Sequence, residues 1–328
     1  MGYRAVVGRP AWWRQWWLRL ILGRTATAVG VALGASIFIW SLVPLMDGDP
    51  ARLTLMARGV TEPTPEQVAE LRAALRLDQP LPVQYLAWLG RAVTGDLGYS
   101  WQSGLPVTAE FAVRVAPTLR LAVAALLLSL LVALPAGLLA ARWEGSWPDH
   151  VLRLLAIGTA STPSFLVALL LISYLVVPLG WKTVVLDGQW HHVWLPAACL
   201  CFGMFDTWSR VWRGGLVDGL RSGYAEVLHA RGATPRRVLL RHAAPNASPP
   251  LIQLVAVSIG GLLGGAAIIE TVFTWPGVGA YVVSSVLARD LPVVQAFTVI
   301  ATLTYVFASL AADLATVAID PRLRRAVA

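Results

Sequence analysis

Long apolar stretches separated by short polar ones run along most of the chain. Six of them, roughly 25–46, 117–141, 152–178, 193–212, 249–272 and 293–319, approach or exceed the ~20 residues a helix needs to cross hydrocarbon. The fourth is the least apolar, because it holds Asp206 and Arg210. Pro135, Pro163 and Pro196 fall inside spans; membrane helices tolerate proline where neighbours satisfy the freed carbonyls. The pattern predicts an all-α integral membrane protein with six transmembrane helices. A segment at 1–24 precedes the first span, and 47–116 separates it from a core at 117–319. That core contains a polar loop at 213–248, and a tail follows at 320–328.

Composition agrees. The 328 residues are 57% hydrophobic and 13% charged, against about 25% charged in a soluble domain. Mean hydropathy is +0.64. The net charge of +8 follows the loops, which points to membrane topology rather than nucleic acid. Arg4, Arg9, Arg14, Arg19 and Arg24 lie before the first span, Arg142 and Arg153 around the second connection, and Arg322, Arg324 and Arg325 in the tail. The 213–248 loop has Arg213, Arg221, Arg231, Arg236, Arg237 and Arg241. By contrast, 179–192 holds only Lys182, and 273–292 only Arg289. The positive-inside rule therefore predicts an inner-membrane protein with both termini cytoplasmic.

The first span is too long for a signal peptide and lacks a clear cleavage site, so an uncleaved anchor is expected. Before it, "AWWRQWWLRL" (11–20) alternates tryptophan pairs with arginine, as an interfacial helix on an anionic leaflet would. In the 47–116 segment, "TPEQVAELRAALRL" (64–77) predicts a small amphipathic helix. Thr64 is its N-cap, Pro65 its first residue and Gln67 the closure of a capping box. Val68, Leu71 and Leu75 form its packing face over the pore mouth.

The stretch "EVLHARGATPRRVLLRHAAPN" (226–246) is basic yet lies between apolar runs. Tyr224, Val227, Leu228 and Arg231 share a helical face, and Glu226 sits in the first turn, where the helix dipole favours an anion. Gly232 is placed to end that helix left-handed; Thr234 then caps a second helix that starts at Pro235 and is expected to end at Pro245. Topology needs only charges. A capped turn with an apolar side (Val227, Leu228, Val238, Leu239) and a basic side is something a partner protein can grip.

That stretch resembles the cytoplasmic "EAA" loop of ABC-importer permeases, in which a glutamate precedes a glycine by six residues, as Glu226 precedes Gly232. It departs from the family in reading E-V-L for E-A-A. "GDLGYS" (95–100) with "GLPV" (104–107) and "PTLRLA" (117–122) is similar to the dipeptide/oligopeptide/nickel branch of that family. So are "ETVFTWPGVGAYVVSSVLARDLPVV" (270–294) and "DLATVAIDPRLRR" (313–325). The long segment after span one is like the first of the two paired permeases. The resemblance implies a homologous second permease, two cytoplasmic ATPases and an external substrate-binding protein as partners. It also implies that Glu226 and Ala230 touch the ATPase, Gly232 makes the turn, and His229, Arg231, Arg236 and Arg237 lie at the contact. The substrates it implies are peptides, or else nickel and metal chelates.

The chain has no Walker A, H-E-x-x-H, G-x-S-x-G or C-x-x-C motif, so no cofactor is expected in it and ATP belongs to the partners. Cys199 and Cys201 read as small buried side chains. His191 and His192 lie at an outer boundary and read as a water-facing pair, with a metal contact as the alternative. Charges inside spans are functional candidates. Asp206 and Arg210 are spaced to pair on one helix face. Glu270 suits a gate or inter-subunit contact, and Asp313 a helix-stabilising role. A secondary transporter is the competing reading, but it should show an internal repeat, and none is visible.

Overall fold

The computed structural model describes residues 11–41, 48–180 and 187–319. Lys182, the tail arginines and the side chains of the 11–20 tryptophan–arginine run lie outside the described residues. The regular structure of the described residues is helical, apart from an isolated bridge between Tyr99 and Pro106.

Helix α1 (Ala11–Ser41) is continuous, so the tryptophan–arginine run does not form a separate element. Three short helices follow: α2 (Pro50–Ala57), α3 (Pro65–Ala74) and α4 (Leu81–Val93). Thr64 caps α3 in a complete capping box with Gln67. However, α3 buries no residue; Val68, Leu71 and Leu75 are only half-buried. It is α4 that docks. Its Tyr85 and Trp88 pack on Trp40 of α1, with ring centroids about 6 Å apart, and the Tyr85 hydroxyl hydrogen-bonds Ser36 at 2.9 Å.

Helix α5 (Val107–Arg142) passes Pro117 and Pro135 without a break and starts ten residues before the apolar stretch that predicts it. The stretch expected to form one span at 152–178 is instead two helices, α6 (Trp147–Ser161) and α7 (Ser164–Leu171, widening into a π turn to Val176). They meet at 92°. Pro163 causes the break: it removes a backbone donor and drives Thr162 into an extended conformation, φ −114°, ψ 118°. Helix α8 (Trp194–Leu220) returns across the molecule, and Pro196 sits harmlessly in its first turn.

Helices α9 (Gly223–Ala230) and α10 (Pro235–Val238) make the insert. Then come α11 (Ala244–Val272), α12 (Val278–Leu287) and α13 (Leu291–Ile319). Helices α5, α8 and α11 pack as the central trio, with α13 on α11 and α1 on α13. One end of the bundle carries the insert. The other carries 48–106, 187–193 and 273–290. Outward residues such as Leu127 and Leu131 stay largely exposed, which suits lipid rather than water.

Among the described residues three helices, Val107–Arg142, Pro235–Val272 and Leu291–Ala315, are long and apolar enough to cross a membrane. The bent α6–α7 pair makes a fourth if counted as one span.

Candidate functional site

At the insert, α9 ends in a Schellman motif. Gly232 is left-handed at φ +83°; its N–H donates to His229 O and the Ala233 N–H to Leu228 O. The Thr234 hydroxyl then accepts from the Arg237 N–H at 3.4 Å, and Pro235 opens α10. The second helix does not end at Pro245 as its sequence suggests. A π turn at Leu239–Ala243, closed by the Ala244 N–H on Leu239 O, shifts the backbone bonding by one residue. The helix thereby passes the proline and runs on to Val272.

The insert is anchored by Ala225, Val238 and Leu239, all buried. Its other side is exposed: Glu226, His229, Ala230, Arg231, Gly232, Arg236 and Arg237 all face outward. The expected apolar face is therefore split. Val238 and Leu239 point inward, whereas Val227 is half-exposed beside Glu226.

A charge network not foreseen in the sequence stiffens this end. The Asp149 carboxylate, fully covered, takes both Arg213 Nε (2.5 Å) and Nη2 (2.7 Å), together with the Gly145 N–H. Arg221 pairs with Glu144 at 2.8 Å. Arginines 213 and 221, which satisfy the topology rule, thus also clamp the α5–α6 turn to the end of α8. The available signal was Asp149 in the first turn of a helix after Ser146 and Pro148. Asp149→Ala leaves the Arg213 guanidinium with only Glu144, at 4.0 Å, and should lower stability by about 3 kcal/mol. Arg153→Ala, removing a half-exposed partner, should change it by under about 0.5 kcal/mol. Thermal unfolding in detergent distinguishes the two.

The charges within spans are all engaged. Asp206 pairs with Arg210 at 2.8 Å on one helix face, and the Gln253 amide donates to Asp313 at 3.0 Å, tying α13 to α11. Cys199 and Cys201 are buried and free. Glu270 of α11 is fully enclosed, with partners from two other helices of this one chain, α5 and α12. The Thr118 hydroxyl donates to it at 2.7 Å and the Ala280 N–H at 2.9 Å, while the Val278 N–H donates to Thr118. The carboxylate thus sits at the N-terminus of α12, where the helix dipole favours an anion. Gly277 makes the room: a Cβ there would lie 2.2 Å from the Glu270 carboxyl carbon.

Comparison with known proteins identifies what this arrangement belongs to. Residues 133–325 match the family model of the binding-protein-dependent transport system inner membrane component, and 17–122 match that of its N-terminal region. The glutathione transport system permease protein GsiC of Escherichia coli O6:H1 is 35% identical over 309 residues, covering 94% of this chain and 99% of the relative. GsiC of Salmonella choleraesuis is 34% identical over 307 residues with the same coverage. The chain belongs to the inner-membrane permeases of ABC importers. With its apolar helices, that makes it a multi-pass inner-membrane protein.

In this permease, motifs distant in sequence meet at the end opposite the insert. Thr118 of "PTLRLA" holds Glu270 of "ETVFTWPGVGAY", and Ser100 of "GDLGYS" holds Asp290 of "ARDLP". Asp290 is buried and accepts from the Ser100 hydroxyl, the Trp101 N–H (3.0 Å) and the Gln102 N–H (3.2 Å). In the sequence Asp290 reads only as a cap before Leu291 and Pro292 at the start of α13. Its bonds to Ser100, Trp101 and Gln102 form only when the 95–106 hairpin folds over the α12–α13 turn. Asp290→Ala removes the acceptor of all three bonds and strands the buried Ser100 hydroxyl at about 1–3 kcal/mol, while the less buried Trp101 and Gln102 N–H groups lose less. It should make 95–106 the first site cut in limited proteolysis, while leaving the insert intact.

Proposed function

We propose that this chain is the first of two paired permease subunits of a peptide-importing ABC transporter. It contributes six transmembrane helices and half of the translocation pore, with both termini and the insert in the cytoplasm. The observation that carries the reading is the insert itself: a turn fixed by a Schellman motif and a Thr234 cap, anchored inward and presenting Glu226, His229, Ala230, Arg231, Arg236 and Arg237 outward. A rigid, charged, exposed knob at the base of a spanning helix is suited to receive force from an ATPase. ATP is bound and hydrolysed by two partner subunits, and an external binding protein delivers the substrate. The reaction in this chain is conformational, an alternation of access between two arrangements of the helices.

A short peptide is favoured as substrate. The relatives are named as glutathione permeases, and glutathione is a modified tripeptide. Nickel and metal chelates are the competing class.

Co-purification tests the reading. The tagged subunit, gently solubilised, should bring a second permease and a Walker-containing ATPase, and Glu226→Lys should lose the ATPase alone. Recovery of the chain by itself from both membranes would overturn it and bring an ion-coupled secondary transporter forward.

A further inference from the structure

The short loop before α8 brings three metal-ligating side chains together at the end opposite the insert. His192 Nδ1 lies 3.0 Å from Asp187 Oδ1, and His191 Nε2 lies 3.3 Å from Asp187 Oδ2. All three ligand atoms fall within 4.8 Å of one another, and the two rings are 4.0 Å apart. Each carboxylate oxygen therefore faces one imidazole nitrogen.

These separations have a chemical meaning. Ligand atoms bonded at about 2.0–2.2 Å to a zinc-sized ion stand roughly 3–3.5 Å apart along each coordination edge. Each imidazole nitrogen stands at that length from its own carboxylate oxygen, and with one oxygen taken as the ligand all three donor atoms still lie within 4.8 Å. A small rotation of the His191 side chain, 65% exposed, is enough to close the remaining edges.

The loop is also held in place. The Gln189 N–H donates to Asp187 Oδ1 at 3.0 Å, forming a tight turn that orients the carboxylate. Arg120 of α5 donates to the Gly188 carbonyl at 2.9 Å, and a 3₁₀ turn at Trp190–His192 places both rings on one side.

We infer that Asp187, His191 and His192 form a binding site for one borderline divalent cation of the Zn²⁺, Co²⁺, Ni²⁺ and Cu²⁺ class, with a coordination position left for water. Two imidazoles and one carboxylate select these ions over Ca²⁺ and Mg²⁺, which demand oxygen shells. The inference does not rest on the importer reading. It follows from one loop, and it adds Asp187 to a histidine pair that the sequence leaves open between facing water and touching a metal.

The test uses the full-length chain carrying a histidine-free tag, stripped of metal and titrated with Co²⁺. One equivalent should bind and give the visible absorption of a nitrogen- and oxygen-ligated ion, and added Zn²⁺ should displace it. His191→Ala with His192→Ala should weaken binding by about 100-fold or more, since even outer-shell changes cost 10–100-fold. Asp187→Asn tests the carboxylate separately. Replacing His150, His229 and His242 together with alanine should leave the titration unchanged. No saturable binding, or equal binding by the His191/His192 double variant, overturns the site, and then the three residues serve only as a hydrogen-bonded loop brace. Equal monodispersity of all variants on gel filtration excludes misfolding as the cause.

Discussion

Gly277→Ala should sharply reduce folded permease, and Glu270→Ala placed on top of it should not reduce it further. The backbone at Gly277 is extended, φ −98°, ψ 174°, so any residue could adopt it; space alone demands glycine. The added methyl would sit 2.2 Å from the Glu270 carboxyl carbon. Overpacking of this kind costs about 1–3 kcal/mol. The carboxylate cannot move aside freely, because displacing it strands the Thr118 hydroxyl and the Ala280 N–H, at about 1–3 kcal/mol each. Glu270→Ala pays the second penalty by itself but vacates the space, so the two substitutions should couple by about 1–3 kcal/mol in a double-mutant cycle. Gly279 supplies the control. A Cβ there would meet the Ala267 Cα at 2.5 Å as well as Glu270 Oε2 at 2.8 Å; the backbone clash stays when the carboxylate is removed, so Glu270→Ala should rescue Gly279→Ala far less than Gly277→Ala. The readout is thermal unfolding in detergent for each single and double variant. Strict additivity at Gly277, or equal rescue at Gly279, would show that Glu270 is not the wedge.

Local chemistry was the most legible part of this chain. The Thr64 capping box, the Gly232 turn, the Thr234 cap and the Asp206–Arg210 pair each depend on residues within four or six positions, and each is present in the structure. Prolines were harder to read, because their effect depends on what lies beside them. Pro163 breaks a helix pair by 92°, Pro135 does not interrupt α5, and Pro245 is passed by way of a π turn. Hydropathy scores all three alike. Long-range partners were not legible. Glu270 stood out because a charge in an apolar stretch is rare, but its partner Thr118 is 152 residues away. Asp290 and Ser100 are 190 residues apart. Asp149 and Asp187 lie outside the long apolar runs, so nothing in the hydropathy pattern singled them out.

Glu226→Lys should abolish uptake with the permease still inserted at its normal level, and Gly232→Pro should do the same by a different route. Glu226 is exposed in the first turn of α9, and among the described residues no cation pairs with it. Reversing its charge therefore leaves the fold unchanged and alters only what an outside partner meets. Truncating one member of a buried charge pair at an interface costs about 2–5 kcal/mol, and 2 kcal/mol is already about thirtyfold in affinity. Gly232→Pro acts on geometry instead. Proline cannot reach φ +83°, and it removes the N–H that bonds His229 O, so the angle between α9 and α10 is lost. Gly232→Ala separates conformation from contact. Nothing lies within 4 Å of the new methyl, so only left-handed strain of about 1–2 kcal/mol remains. It should retain much of the uptake that Gly232→Pro loses. Immunoblots of membranes verify insertion, and labelled-peptide uptake reads function. If Gly232→Pro transports normally, the turn transmits nothing and the insert is only a topological charge. If Gly232→Ala fails as completely as Gly232→Pro, the glycine itself, rather than the turn it makes, is in contact with the partner.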